Sequence, residues 1–261
     1  MAPDHLLSLT EHVPEDGADA ALLVVLVHGS LDRAGSFARV VRRLPDLHTV
    51  AYDRRGYHRS RHVTPVHDTL QGHVDDLVDV IDGRPCVVVG HSYGGDIALG
   101  AALAPDGPGP VRAVAAYEPP MPWLGTWANR PRPAGAADDD PAVAAERFFR
   151  RMVGDSAWER LPEATRQARR DDGPALAGEL AAIRTGVPPF DVTRLTVPAV
   201  FGRGSESLPH HRASADWLMD HVPDAQLVEV EGAGHGAHLT HPDAFAGFVR
   251  AAVARAAGGS R

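Results

Sequence analysis

Along the first 120 residues, short unbroken apolar runs alternate with stretches in which apolar residues recur every three or four positions. A strand buried on both faces reads as a continuous hydrophobic run, so this alternation predicts a parallel sheet flanked by helices. Strands are expected at 21–27, 48–52, 86–89 and 111–117. Phe37, Val40, Val41 and Leu44 stand at i, i+3, i+4 and i+7 and predict a helix over 37–44. Val74, Leu77, Val78 and Ile81 predict another, over 66–81, and the small-residue run 96–103 predicts a third.

The pattern changes at Met121. From there to Pro189 no strand-like run occurs, and helical patterns are separated by Pro and Gly. Asp138 to Asp140 followed by Pro141 has the form of an N-cap with proline at the first helical position. Ala145, Phe148, Phe149 and Met152 then make a helical apolar stripe, and Glu146 stands four residues before Arg150 for an ion pair. Strand signals return at 199–201 and 226–230, with helices expected at 213–221 and 245–257. The simplest organisation is one α/β core, residues 1–120 and 190–261, interrupted by a helical insert at 121–189.

Composition narrows the function classes. The formal net charge is -8 from 26 basic and 34 acidic residues, which argues against a nucleic-acid partner. Every basic residue is Arg, so chemistry that needs a lysine amine is excluded. The single cysteine, Cys86, excludes an internal disulfide and a cysteine-based metal cluster, and it reads as filler at the start of a buried strand. The 15 histidines read as scattered surface and motif residues, with no metal and no cofactor expected. The first residues lack a basic-then-apolar signal pattern, and the longest early apolar run is far short of the ~20 residues that cross a bilayer. A cytoplasmic protein with a small-molecule substrate and no membrane partner is the expectation; nothing in the sequence indicates an oligomeric state.

The chemistry is carried by Gly90, His91, Ser92, Tyr93, Gly94 and Gly95, a G-x-S-x-G pattern between an apolar run and a helical one. A sharp strand-to-helix turn there would hold the Ser92 hydroxyl clear of its neighbours, and Gly90 and Gly94 would prevent collisions across the turn. The helix N-terminus adds free backbone N–H groups and positive potential.

With that motif the chain resembles the α/β-hydrolase family over nearly its whole length. The matching pieces are His28 and Gly29 after the first buried run, the stretch Tyr52 to Ser60, the Ser92 turn, and Gly232 to His235, seven residues before Pro242. The resemblance implies a mostly parallel eight-stranded sheet flanked by helices, with its first antiparallel strands at about 6–13 and a helical cap where 121–189 falls. It implies Ser92 as nucleophile and His235 as base, with His238 and His241 as competitors. Tyr93 and Ser30 would supply the oxyanion donors, with Leu31 a near rival and His28 bracing the loop.

The acid departs from the pattern. The family places an Asp nine residues after the proline that opens the next-to-last strand, and here the ninth residue after Pro198 is Ser207. Two candidates remain: Glu206, one position off, and Glu118, at the end of the strand before the insert and followed by Pro119 and Pro120. Relatives with the acid at that second place are known, and the rigid support favours Glu118. Asp53, Arg54 and Arg55 read as a structural turn whose arginines could also meet an acidic substrate. Trp123, Trp127 and Phe148, with Leu31, are candidate pocket residues.

The reading is a serine hydrolase cleaving an ester, lactone or thioester of a small organic substrate. A carbon–carbon bond hydrolase would use the same residues, and a non-catalytic ligand-binding protein on the same scaffold is the alternative class.

Overall fold

The computed structural model describes residues 6–15, 22–104, 107–128 and 140–258. Among these, seven strands form one sheet: β1 (Leu9–His12), β2 (Leu23–Val27), β3 (Thr49–Tyr52), β4 (Cys86–His91), β5 (Val111–Tyr117), β6 (Ala199–Gly204) and β7 (Ala225–Val230). The sheet order is β1-β3-β2-β4-β5-β6-β7, with β1 antiparallel to β3 and every other pair parallel.

The eight-stranded expectation is therefore corrected to seven among the described residues. The 6–13 segment contributes the single short strand β1, whose partner β3 is only four residues long. The Ala21 end of the predicted second run lies outside the described residues, as do Asp138 and Asp139.

The helices are α1 (Ala38–Val41), α2 (Leu70–Ile81), α3 (Tyr93–Ala102), α4 (Gly125–Ala128), α5 (Pro141–Val153), α6 (Asp155–Glu159), α7 (Glu163–Asp171), α8 (Gly173–Ile183), α9 (Pro209–His221), α10 (Ala237–Thr240) and α11 (Pro242–Gly258). Alternation along the strands divides the core in two. Val25, Val27, Cys86 and Val88 pack with α2, α3 and α9, through Val74, Leu77, Ile97 and Leu218. Val24, Leu26, Val87 and Val89 pack with α1 and α11, through Val40, Phe245, Phe248 and Val249.

Several boundaries move for local reasons. The helix predicted over 66–81 starts at Leu70, because Thr69 caps it by accepting from the Gly72 N–H. Its buried stripe runs through Leu70, Val74, Leu77 and Ile81, and Val80 replaces Val78, which is half exposed. The segment 37–44 is a 3-10 turn over Ala34–Phe37 followed by the single turn α1. Helix α3 begins three residues earlier than predicted, directly after Ser92.

Between β5 and β6 the described residues are helical, α4 to α8, without a strand. Asp140 caps α5 by accepting from the Ala142 N–H at 2.8 Å, with Pro141 next. Glu146 binds Arg150 at 2.8 Å, as the spacing predicts, and also Arg170 of α7 at 2.8 Å. Leu31, Ala145, Ala175 and Leu176, with Phe148 and Phe149 against them, form a small separate cluster joining this insert to the loop after β2.

The sheet order reverses between β2 and β4, which run in parallel with Val27 opposite Gly90. Loops leaving two such strands diverge at their C-terminal ends and open a crevice there, the usual place for a site in an open α/β sheet. His28 to Leu31 and His91 to Tyr93 are the residues at that point.

Candidate active site

Ser92 stands between β4 and α3 with φ +53° and ψ -129°, half-buried. The turn is closed enough that a Cβ on Gly90 would sit 2.0 Å from the Gly94 carbonyl oxygen. One on Gly94 would sit 2.2 Å from the Val27 carbonyl oxygen. Both positions require glycine, which explains the spacing of the motif. Among the described residues, five other than glycine have positive φ: Leu31, His58, Asp82, Ser92 and Glu118. Three of them lie on loops of this one site. Strain of this kind persists only where surrounding structure holds it, and it clusters where geometry is functional.

Glu118 follows β5 with φ +48°, fully buried, and its N–H donates to the Gly202 carbonyl at 3.0 Å. One carboxylate oxygen accepts from the Gly204 N–H at 2.8 Å. The other lies 2.7 Å from His235 Nδ1. A carboxylate there fixes the Nδ1–H tautomer and leaves Nε2 as a free lone pair. The His235 backbone is held as well, because His91 Nε2–H donates to its carbonyl at 2.7 Å.

The rival positions lie elsewhere. Glu206 is exposed and tied to the fold by its backbone N–H, which donates to the Ala233 carbonyl at 2.9 Å. His238 Nε2 faces Asp32 at 3.1 Å, and His241 Nδ1 faces the Thr240 hydroxyl at 2.9 Å.

His28 and Arg54 shape the loop bearing Ser30. His28 Nδ1–H donates to the Gly29 carbonyl at 2.8 Å, and its Nε2 accepts from the Arg54 backbone N–H at 3.0 Å. Burial, aided by the Arg54 charge, lowers the His28 pKa to about 3. The two arginines that could have met an acidic substrate are engaged within the protein. Arg54 is fully buried against Glu179, and Arg55 makes a two-pronged contact with Asp76 at 2.7 and 2.9 Å. Asp53 is structural, accepting from the Ala34 N–H at 2.8 Å and from Arg59 at 2.8 Å.

The candidate pocket residues separate. Leu31 and Phe148 meet in the cluster between insert and core. Trp123 packs edge-on against Phe190 and onto the main core. Trp127 donates to the Ser214 hydroxyl at 2.9 Å and touches the His210 and His211 rings. A cleft of about 590 Å³ lies elsewhere, bordered among others by Leu70, Val74, Phe190 and Arg194, and includes none of these candidates.

Two site neighbours escape the sequence reading. His211 of α9 stacks on His235, with ring centres 4.1 Å apart and planes 18° apart, and its Nδ1 is 4.0 Å from the Glu118 carboxylate. Glu179 of α8 is fully buried and accepts from the Ser30 hydroxyl at 2.6 Å. A signal for Glu179 exists: it is an acid within the apolar stripe Leu176, Glu179, Ile183. None exists for His211. Asp32, His91 and His238 form a group whose ligand atoms lie within 4.8 Å of one another, as do Glu118, His211 and His235. In the second group the Nδ1–carboxylate bond already occupies the atoms a metal would take.

Three buried histidines dictate an acid limit. Burial holds His28 at about 3, His73 at about 2 and His91 well below the ordinary 6.5. Unfolding frees each to bind a proton below pH 6.5, so the unfolded state gains protons as pH falls and stability drops. The loss is about 1.4 kcal/mol per histidine per pH unit once below 6.5. Asp32, which burial would raise but its bond to His238 holds below the usual range, adds loss in the same direction below pH 4. Asp96, pushed well above the carboxylate range by burial, takes up a proton while folded and offsets part of the histidine loss. Thermal melts should show Tm falling steeply from pH 6.5 to 4; a flat Tm over that range would contradict the neutral buried imidazoles.

Comparison with known proteins agrees with the geometry. Residues 24–248 match the alpha/beta hydrolase family. Lipase LipV of Mycobacterium tuberculosis is 29% identical over 150 residues, covering 56% of this chain and 55% of that one. Polyketide synthase ThaQ of Burkholderia thailandensis is 30% identical over 244 residues, 85% of this chain and 11% of that one. The chain thus spans about half or less of the length of these curated relatives. Among solved structures, the enol-lactonase from Burkholderia xenovorans LB400 superposes with a TM-score of 0.72 at 21% identity, over 95% of this chain and 96% of that one. In the described residues no helix is long and apolar enough to cross a membrane.

Proposed function

The chain belongs to the alpha/beta hydrolase family, and we propose that it is a serine hydrolase that cleaves an ester, lactone or thioester of a small organic substrate. The observation that carries this reading is the buried Glu118 carboxylate, 2.7 Å from His235 Nδ1, on a histidine whose carbonyl is bonded to His91, the residue before a strained Ser92 at a helix N-terminus. The similarity to a lipase and to an enol-lactonase structure points to acyl–oxygen cleavage. The insert at 121–189, in contact with Leu31, acts in this reading as the cap over the site.

Each group has one task. Ser92 Oγ attacks the carbonyl carbon while its proton passes to His235 Nε2. Glu118 holds the resulting imidazolium in place. The oxygen of the carbonyl becomes an alkoxide and accepts from the N–H groups of Tyr93 and Ser30, helped by the positive end of α3. Collapse expels the leaving group, which takes the proton from His235, and an acyl-Ser92 remains. Water then gives a proton to His235 and attacks the same carbon. Collapse releases the acid and returns the proton to Ser92.

The test is turnover of a panel of short p-nitrophenyl esters and simple lactones. Hydrolysis with a pre-steady-state burst of the phenol supports an acyl-enzyme. Absence of turnover on every member, with the protein folded, would instead favour the ligand-binding alternative.

A further inference from the structure

Among the described residues of the insert two carboxylates are buried, Asp172 against Arg61 and Glu179 against Arg54, and the chemistry above leaves the second unused. Glu179 of α8 is fully buried, and its carboxylate pairs with the equally buried Arg54 guanidinium. We propose that Arg54 and Glu179 are positioning residues that aim the Ser30 N–H, so that the insert completes the oxyanion site as well as covering it. This rests on the serine-hydrolase reading.

The geometry runs through the peptide planes. Arg54 Nε donates to the His28 carbonyl at 2.9 Å, and Nη2 donates to the Gly29 carbonyl at 3.0 Å. The one cis bond among the described residues is Thr64–Pro65, so both peptides here are trans. In a trans peptide the C=O and N–H point in opposite directions. Holding the His28 and Gly29 carbonyls on the guanidinium therefore turns the Gly29 and Ser30 N–H groups away from it. The His28 ring reinforces one of these carbonyls through its own 2.8 Å bond to Gly29.

The far side of the loop is fixed from the insert. The Ser30 hydroxyl donates to Glu179 at 2.6 Å, and the next residue, Leu31, sits at φ +53° against Ala175 and Leu176 of the same helix. Tyr93, the other proposed donor, packs its ring 5.4 Å from the Arg54 guanidinium. Both donors are thus referred to one charged pair. A guanidinium this buried keeps its place only while its carboxylate is present, since an uncompensated buried charge draws in water or moves. Without Glu179, Arg54 has no reason to stay on the two carbonyls, and the Ser30 amide loses its aim.

The experiment compares wild type, Glu179→Gln and the doubly apolar variant Arg54→Met with Glu179→Met on one p-nitrophenyl ester. An aryl boronic acid serves as tetrahedral mimic, and thermal melts verify folding. Removing both charges together avoids the stranded-charge problem, so the double variant stays folded. The expected result is kcat lower by about 10–100-fold in both variants, less than the about 10²–10³-fold cost of removing an oxyanion donor outright, because the donor remains and only its aim is lost. KM should change little, and boronate affinity should fall by the same factor as kcat. A merely structural pair would lower Tm and leave kcat and boronate affinity intact in the folded fraction; that result overturns the proposal. Failure of the underlying reading looks different: wild type would neither turn over esters nor bind the boronate.

Discussion

Replacing Ser92 by alanine is expected to lower kcat by about 10⁵–10⁶-fold, the scale of losing a nucleophile whose partners act only through it. In the proposed mechanism no acyl-enzyme forms without the Ser92 hydroxyl, so His235 and Glu118 have nothing to act on. Stability should change by less than about 1 kcal/mol, since the side chain is half-buried and makes no capping hydrogen bond at the start of α3. Alanine inherits the +53° backbone at no greater strain than serine. The check is kcat on the best ester of the panel beside a thermal melt. Residual activity above a thousandth of wild type in a folded variant would remove Ser92 from the chemistry.

The second large effect separates the two glutamates. Glu118→Gln should lower kcat by about 10²–10⁴-fold, because a neutral amide cannot stabilise the imidazolium and can present its NH₂ to Nδ1, favouring the wrong tautomer. The amide also keeps the shape needed to accept from the Gly204 N–H, so the fold should survive. Glu206→Gln should lower kcat by less than about tenfold, as for an exposed side chain outside the triad. Measured on one ester with both variants folded, the reverse ranking would return the acid to the loop after β6.

Sequence carried the topology because strands buried on both faces leave an unmistakable trace. The runs at β2, β4 and β5 are nearly continuous Val, Leu and Ala. The Ser92 turn was equally legible through its motif, since the collision that demands Gly90 acts within five residues, although the one that demands Gly94 comes from the Val27 carbonyl on β2. The proposed acid was harder. Singling out Glu118 depends on how β5 and β6 pair, which sets it beside Gly202 and Gly204, and pairing across 85 residues leaves no local mark. Val78 was misplaced because its helix starts at the Thr69 cap, and Val80 takes that edge of the stripe. His211 and Glu179 reach the site from α9 and α8. Their roles come from tertiary docking, which no periodicity encodes, although an acid within an apolar helix stripe is a fair warning.

The most direct test of the account is covalent. A fluorophosphonate captures a serine only where a base removes its proton and donors hold the developing oxyanion, so one adduct reports the whole arrangement. Intact mass and peptide mapping should find a single adduct on Ser92, formed rapidly in wild type and in Glu206→Gln. It should form far more slowly in Glu118→Gln and not at all in Ser92→Ala. Labelling that persists in Ser92→Ala, or proceeds at the wild-type rate without the Glu118 charge, would contradict the triad.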